Sequence, residues 1–125
     1  MDITPAIPAG RQVVESYGAG RFRVSGQVYE GSVVVFPERT APWSVSRIED
    51  LTLDSLQPLL EAAGDPEILL LGCGPRLSQV APDLRQALRA RGVVVEAMDT
   101  GAACRTYNVL MSEARRVAAA LIAVE

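Results

Sequence analysis

The segment that says most about the architecture is Glu67-Ile-Leu-Leu-Leu-Gly-Cys-Gly-Pro75. Its four consecutive branched apolar residues are typical of a strand buried on both faces of a sheet. The glycine-rich turn that follows ends the strand. Because strands of this kind occur in parallel sheets covered by helices, the segment predicts an α/β fold.

A helix and a second strand follow this turn. Pro82 suits the first position of a helix, Leu84 and Leu88 give it an apolar stripe, and Gly92 ends it. Residues 93–97 are β-formers and predict the next strand. The strand–helix–strand order implies that the two strands pair in parallel.

The chain beyond this second strand predicts one long helix that reaches Leu121. Asp99 or Thr100 is its expected N-cap, because a short oxygen-bearing side chain can accept a hydrogen bond from a free amide. Apolar residues then recur at intervals of three and four, which places them on one helix face. They are Ala103, Tyr107, Leu110, Ala114, Val117 and Leu121.

The first half of the chain is predicted to be mainly β. Residues 21–37 are rich in β-formers and carry turn signals at Ser25-Gly26 and Glu30-Gly31, which indicates a strand meander. Residues 1–15 are expected to form an extended N-terminal arm. Residues 37–42 are expected to form a loop, and Val45 and Ile48 a short strand.

Two further features complete the predicted core. Trp43, the only tryptophan, is expected to cap it, because an indole buries a large area. A stacking surface for a partner or ligand is the alternative role. Residues 52–63 have helical spacing, but Pro58 lacks an amide donor, so the helix is predicted to start at Asp54 or Ser55.

The composition excludes several kinds of chemistry. The chain has no histidine, and all 12 basic residues are arginine. This rules out a Ser-His-Asp triad, a histidine-bound zinc ion, a Schiff-base lysine and a P-loop lysine. Two cysteines are too few for a four-thiolate metal site. No cofactor and no metal are therefore predicted, and an enzyme is the less favoured class.

Charge and hydropathy limit the partners and the compartment. The net charge is −3 and the arginines are interleaved with acids, so no basic stripe suggests nucleic acid binding. The N-terminus lacks the features of a secretion signal, and no apolar run is long enough to insert into a membrane. Two cysteines without a secretion signal indicate free thiols in the cytoplasm.

The candidate site lies where the two predicted parallel strands end. Their carboxyl ends meet at one edge of a sheet, which is where open α/β sheets hold ligands. Amides at the helix start and the Arg105 guanidinium favour a carboxylate or phosphate there, whereas Asp99 opposes one. The candidate ligand- or partner-binding residues are Gly72, Cys73, Gly74, Asp99, Thr100, Arg105, Thr106 and Asn108.

Other chemistry at this edge is open from the sequence. Asp99 could act as a general base if it is buried, and Cys73 could ionise if it faces a helix N-terminus. Cys73 and Cys104 could form a redox pair, although two inert thiols are the favoured interpretation. The turn after Leu71 lacks the third glycine of a dinucleotide fingerprint.

Several short motifs together resemble the small Mth-type domain family, whose function is largely unknown. The resemblance extends from Tyr17 to Val124. Where the family usually has Gly-Thr-Gly, this chain has Cys73 as the middle residue. The motifs are Tyr17-Gly18 with Phe22, Tyr29-x-Gly31-Ser32, Trp43, Leu71-Gly72-Cys73-Gly74, Met98-Asp99-Thr100, Ala103, Thr106-Tyr107-Asn108 and Arg116-Val117-Ala118.

The resemblance implies a fold and a direction for function. The fold is a single-domain β/α sandwich over residues 1–125, with a central mixed sheet, helices on both faces and an N-terminal β meander. The family includes the adipogenesis-associated Mth domain-containing protein and the third assembly factor of mitochondrial complex I, which works by binding protein partners. The favoured function is therefore a non-catalytic protein-binding module that assists assembly of a respiratory or membrane-associated complex.

Three alternatives remain beside this function. The protein could bind a small ligand or anion, or it could be an enzyme of unknown reaction that uses Asp99 or Cys73. It could also form a homodimer through the edge of the meander, because unpaired strands invite pairing.

Overall fold

The computed structural model describes residues 10–125. Within that range the chain forms eight strands and three helices. The strands are β1 (Val14–Gly18), β2 (Arg21–Val24), β3 (Gln27–Glu30), β4 (Val33–Val35), β5 (Thr40–Pro42), β6 (Ile68–Gly72), β7 (Val94–Met98) and β8 (Val117–Leu121). The helices are α1 (Leu53–Ala63), α2 (Pro82–Ala90) and α3 (Thr100–Ser112).

A five-stranded mixed sheet in the order β5-β4-β8-β6-β7 forms the centre of the fold. Strand β6 lies between β8 and β7 and is parallel to both, while β4 is antiparallel to β8 and β5. The run of leucines that predicted a doubly buried strand is fully buried in β6. The prediction of an α/β fold with a central mixed sheet is confirmed.

Two apolar clusters cover the two faces of this sheet. On one face, leucines of α1 and α2 pack against Leu69 and Leu71 of β6. On the other face, Tyr107 and Met111 of α3 and Phe22 of β2 pack with Leu70. Neighbouring side chains of a strand point to opposite faces, so β6 contributes to both clusters.

The prediction of one long helix that reaches Leu121 is wrong in its second half. Helix α3 ends at Ser112, and Val117–Leu121 forms β8, the central strand of the sheet. Ala114 turns the chain with a φ of 61°, in the left-handed region that ends a helix. All five residues of β8 are buried, so its apolar run fits a strand covered on both faces.

Residues 14–30 form a separate antiparallel sheet in the order β1-β2-β3. The hairpin turns Ala19-Gly20 and Ser25-Gly26 have positive φ at both central residues, which matches the twist of two-residue hairpins. The meander predicted for residues 21–37 is present only in part, because β2 and β3 pair with each other while β4 belongs to the five-stranded sheet. Strand β1 was not predicted, and residues 1–9 of the predicted arm lie outside the described range.

Three local predictions for the segment that ends in α1 are corrected by the structure. No strand forms at Val45 and Ile48, where residues 48–50 make a 3₁₀ turn; the loop predicted at 37–42 contains β5 instead. Helix α1 starts at Leu53, because Thr52 and Ser55 form a reciprocal capping box. Pro58 is tolerated in the second turn, since it deprives only the carbonyl of exposed Asp54 of a partner.

Trp43 takes the core position that the sequence predicted. It is buried in the same cluster as α1 and α2, and its indole Nε1 donates to the Ser55 carbonyl at 3.0 Å. Among residues 10–125, no helix has both the length and the apolar character needed to cross a bilayer.

Candidate functional site

The carboxyl ends of β6 and β7 lie side by side and bring the two predicted loops together. Gly72 pairs in register with Met98, and the Cys73 amide donates to the Met98 carbonyl at 2.8 Å. One step further, the Thr100 amide donates to the Gly74 carbonyl at 2.8 Å. The turn after β6 is therefore held against the start of α3.

The Thr100 hydroxyl links three segments at this point. It accepts from the Gly74 amide at 2.9 Å and donates to the Ile122 carbonyl at 2.8 Å. The side chain is fully buried. Both hydrogen-bonding functions of the hydroxyl are therefore used to join α3, the turn after β6 and the end of β8, and none faces a ligand.

Gly72 and Gly74 serve the same junction. A Cβ atom on Gly72 would lie 3.0 Å from the Thr100 Cα and 3.1 Å from the Leu121 Cδ2, closer than carbon atoms normally pack. Gly74 adopts a φ of 100°, which glycine reaches without steric cost. Gly72 thus allows β6 to approach α3 closely, and Gly74 allows the turn that follows, so both have a structural role.

Asp99 caps α3 with its side chain. Its Oδ2 accepts from the Ala102 amide at 3.1 Å, as the sequence predicted for Asp99 or Thr100. Beside it, the Tyr17 hydroxyl lies so close to Gly101 that a methyl group there would overlap it. Tyr17 is 44% exposed, so this side chain of β1 both contacts the start of α3 and reaches solvent. Sequence reasoning treated Tyr17 only as a family marker.

The two thiols are free and lie on opposite faces of the central sheet. Cys73 belongs to the cluster beneath α1 and α2, and Cys104 to the cluster beneath α3. Cys73 makes only long contacts from its Sγ to the carbonyls of Leu71 and Ser78, at 3.7 and 3.8 Å. Because the two thiols lie in different apolar clusters, the structure favours two inert thiols over a redox pair.

Burial keeps Cys104 in its thiol form. Removal from solvent raises the pKa of Cys104 to about 12, with the Asp99 charge acting in the same direction and Arg105 opposing it. A nucleophilic cysteine needs a pKa well below that of a free thiol. Cys104 is therefore inert at neutral pH.

Asn108 holds the first strand instead of a ligand. Its Oδ1 accepts from the Val14 amide at 3.0 Å and its Nδ2 donates to the Val14 carbonyl at 2.8 Å. The preceding residue, Tyr107, donates its hydroxyl to the Gln12 carbonyl at 2.9 Å. These two side chains anchor residues 12–14 to α3.

Replacing Asn108 by alanine should therefore loosen β1. We expect the free energy of unfolding to fall by about 1–3 kcal/mol, because two partly buried backbone groups lose their partners. Urea denaturation measures this change, and hydrogen exchange should become faster at the Val14 amide. Ser112→Ala on the same helix is the control, because its exposed hydroxyl bonds only to Val109 nearby. Equal stability of the two variants would contradict the anchoring role.

Two of the candidate residues remain available at the surface. Arg105 is exposed and Thr106 is half-buried, and Val109, one helical turn after Arg105, is 56% exposed. Arg105, Thr106 and Val109 together form the outer face of α3. Val109 was not predicted from the sequence, because an apolar residue in an amphipathic helix is normally assigned to the core.

Across positions 10–125, no three His, Cys, Asp or Glu side chains are grouped closely enough to hold a metal ion.

Comparison with known proteins identifies relatives over nearly the whole chain. The model of a family described as a protein of unknown function (DUF498/DUF598) matches residues 14–122. An uncharacterized protein from Rhodobacter capsulatus is 39% identical over 114 residues, which cover 91% of this chain and 86% of that protein. The resemblance carried by the short motifs is thus confirmed.

Two named relatives add detail. The NADH dehydrogenase [ubiquinone] 1 alpha subcomplex assembly factor 3 of Xenopus tropicalis is 37% identical over 109 residues, covering 87% of this chain and 60% of that protein. The solution structure of a Mth938-like domain from Bordetella pertussis has a TM-score of 0.83 at 35% identity, covering 98% of this chain and 92% of that one. This chain therefore corresponds to only part of the assembly factor.

Proposed function

The chain belongs to the DUF498/DUF598 family, and on that premise we propose that residues 1–125 form a non-catalytic protein-binding module that assists assembly of a larger complex. The observation that carries this proposal is that polar side chains at the candidate edge form hydrogen bonds within the protein and are not free to act on a substrate. Thr100, Asp99 and Asn108 all bond within the protein. The outer face of α3 is therefore the part of this edge that can contact another molecule.

The chemistry of that face suits a protein partner. Arg105 is exposed one helical turn before the exposed Val109, and arginine is enriched where proteins bind each other. The Xenopus tropicalis relative is named as an assembly factor for NADH dehydrogenase, which supports a respiratory or membrane-associated complex as the target. That protein is longer than the matched region, so an assembly role for this chain is part of the proposal.

The proposed compartment is the cytoplasm. The two cysteines are both buried and free, as expected of a protein from a reducing environment. The net charge of −3 makes a protein partner the better proposal than nucleic acid.

Changing the outer face of α3 should strongly weaken partner binding. We expect Arg105→Glu with Val109→Asp to reduce recovery of a crosslinked partner from the native cell at least tenfold, because interface hot spots, in which arginine is enriched, contribute about 2 kcal/mol or more and tenfold corresponds to about 1.4 kcal/mol. Quantitative mass spectrometry after affinity capture measures this. The matched control is Arg89→Glu on the exposed side of α2.

Two results would contradict the proposal. One is that the wild-type protein recovers no partner above background. The other is that the doubly substituted protein and the control recover the same partner in equal amounts, which would remove the outer face of α3 as the contact.

Binding of a small anion is the second candidate function. Arg105 is exposed one turn inside α3, and the free amides at a helix start favour negative charge. A thermal-shift panel of anions and nucleotides on wild type and Arg105→Ala tests it. Equal, negligible shifts would exclude this candidate.

Catalysis by Asp99 or Cys73 is less well supported. Asp99 already accepts a hydrogen bond as the cap of α3, and Cys73 is buried in the core. A homodimer remains a proposal of its own, because β3 lies at an edge of the three-stranded sheet. Light scattering determines the mass in solution directly.

A further inference from the structure

A cleft of about 430 Å³ lies away from the candidate edge, where α1 and α3 end and β8 begins. Its walls are the turn at residues 36–39 between β4 and β5, the last turn of α1 with residues 64–66, and residues 114–117 before β8. The volume falls in the range of ordinary ligand pockets. In the sequence this part of the surface was marked only by the family motif Arg116-Val117-Ala118, and no binding role was predicted for it.

The cleft is positively charged in a chain whose net charge is −3. Four arginines line it together with only two acids, Glu38 and Asp65. Asp65 is occupied by the guanidinium of Arg91, at 2.7 and 3.2 Å, and Glu38 faces Arg11 at 3.5 Å. The arginines are Arg11, Arg39, Arg115 and Arg116.

Three of these guanidinium groups have no acidic partner among residues 10–125. Arg116 donates to the main-chain carbonyl of Asp65 at 2.7 Å, so its charge is not neutralised. Arg39 and Arg115 are exposed and form no ion pair within the described range. Planar guanidinium groups bind carboxylates with paired hydrogen bonds. The rim of the cleft is therefore suited to acidic side chains.

The lining between these arginines is apolar. Pro37, Ala62, Ala63 and Ala114 border the cleft and are exposed or half-buried, whereas Phe36 and Met111 are almost fully buried. A small inorganic anion would gain no binding free energy from this apolar surface. A ligand that carries an apolar group beside its negative charge would gain binding free energy from the apolar surface and from the arginines.

The end of α1 adds hydrogen-bond acceptors. Ala62 and Ala63, in its last turn, line the cleft, and that turn contains no basic residue. The last carbonyls of a helix lack partners within the helix and carry partial negative charge. They favour N–H donors and disfavour a compact dianion such as phosphate. A polypeptide backbone supplies N–H donors at every residue except proline.

We propose that this cleft binds a short acidic segment of a partner polypeptide. Carboxylates of the segment pair with Arg39 and Arg115, an apolar side chain lies on Pro37 and Ala114, and its backbone amides donate to the end of α1. The inference rests on the proposed protein-binding function and names a second contact surface, separate from the outer face of α3.

The test is a fluorescence anisotropy titration of the full chain with a labelled peptide, Leu-Glu-Asp-Phe-Glu-Glu. We expect saturable binding to wild type, a Kd at least tenfold weaker for Arg39→Ala with Arg115→Ala, and weakening with salt. Arg76→Ala with Arg89→Ala is the matched control, because it removes two exposed arginines elsewhere. Its Kd should stay within twofold of wild type.

Three outcomes would overturn the inference. The first is equal affinity of the cleft variant and the control variant. The second is equal binding of the amide peptide Leu-Gln-Asn-Phe-Gln-Gln, which carries no side-chain carboxylates. The third is displacement of the acidic peptide by millimolar inorganic phosphate at constant ionic strength, which would indicate a small-anion site.

The same variants separate this inference from the proposed function. If affinity capture recovers a partner equally with wild type and Arg39→Ala/Arg115→Ala, and the peptide binds neither protein, only the binding role of the cleft is excluded. If capture recovers no partner but the peptide binds through Arg39 and Arg115, the binding role of the cleft is supported and the proposed assembly role fails.

Discussion

Replacing Thr100 by valine should lower the free energy of unfolding by roughly 2–5 kcal/mol. Valine keeps the shape of threonine but can neither accept from the Gly74 amide nor donate to the Ile122 carbonyl. Each buried polar group left without a partner costs about 1–3 kcal/mol. Both bonds are buried, so water cannot easily replace the hydroxyl.

Urea denaturation at neutral pH measures this effect as a lower midpoint with an unchanged slope. Thr100→Ser is the matched control, since it keeps the hydroxyl and loses one methyl group worth about 1 kcal/mol. Serine should therefore be clearly more stable than valine at this position, although valine is the more apolar. The opposite order, with valine as stable as wild type, would refute the structural role of the hydroxyl.

The elements that the sequence predicted best are those with a local cause. Strand β6 and helix α2 were recognisable because a run of leucines, a proline at the helix start and a glycine after its end each act over a few residues. The register of β6 with β7 then brought Gly72–Pro75 beside Asp99, as two parallel strands require.

Strand β8 was missed because its local preference opposes its final state. Alanine has the highest helix propensity, and Ala118, Ala119 and Ala120 are three in a row. Their burial on both faces of the central sheet overrides that preference. The end of α3 before these alanines depends on Ala114, which lies in the left-handed region. Alanine rarely adopts this conformation, so no sequence pattern predicts it.

The candidate site was predictable in location but not in the role of each residue. Asn108 was expected at a recognition surface, yet it bonds to Val14, 94 residues earlier in the chain. The Thr100 hydroxyl bonds to segments 26 and 22 residues away. Only a folded structure shows such long-range partners, so a polar residue near a helix start could not be assigned to binding or to structure beforehand.

Alkaline pH should destabilise the protein through Cys104 by about 4 kcal/mol between pH 9 and 12. Burial raises the pKa of Cys104 to about 12, from 9.0 for an unperturbed thiol. Below pH 9 the thiol is neutral in both states and stability is unaffected. Above pH 9 the unfolded chain loses the proton first, so stability falls until the pH reaches the folded pKa. Three units correspond to about 4 kcal/mol, at about 1.4 kcal/mol each.

Cys104→Ala isolates this contribution from other alkaline effects. Burial also raises the pKa of Tyr107, which adds to the loss above pH 10 in both proteins. The variant will be less stable at pH 8 because it loses a buried sulfur, but its stability should decline less steeply with pH. Urea denaturation under reducing conditions at pH 8 and 11 should give a difference in decline of about 3 kcal/mol. Parallel declines would mean that the folded protein ionises Cys104 as readily as the unfolded chain does, and that the thiol is not shielded beneath α3.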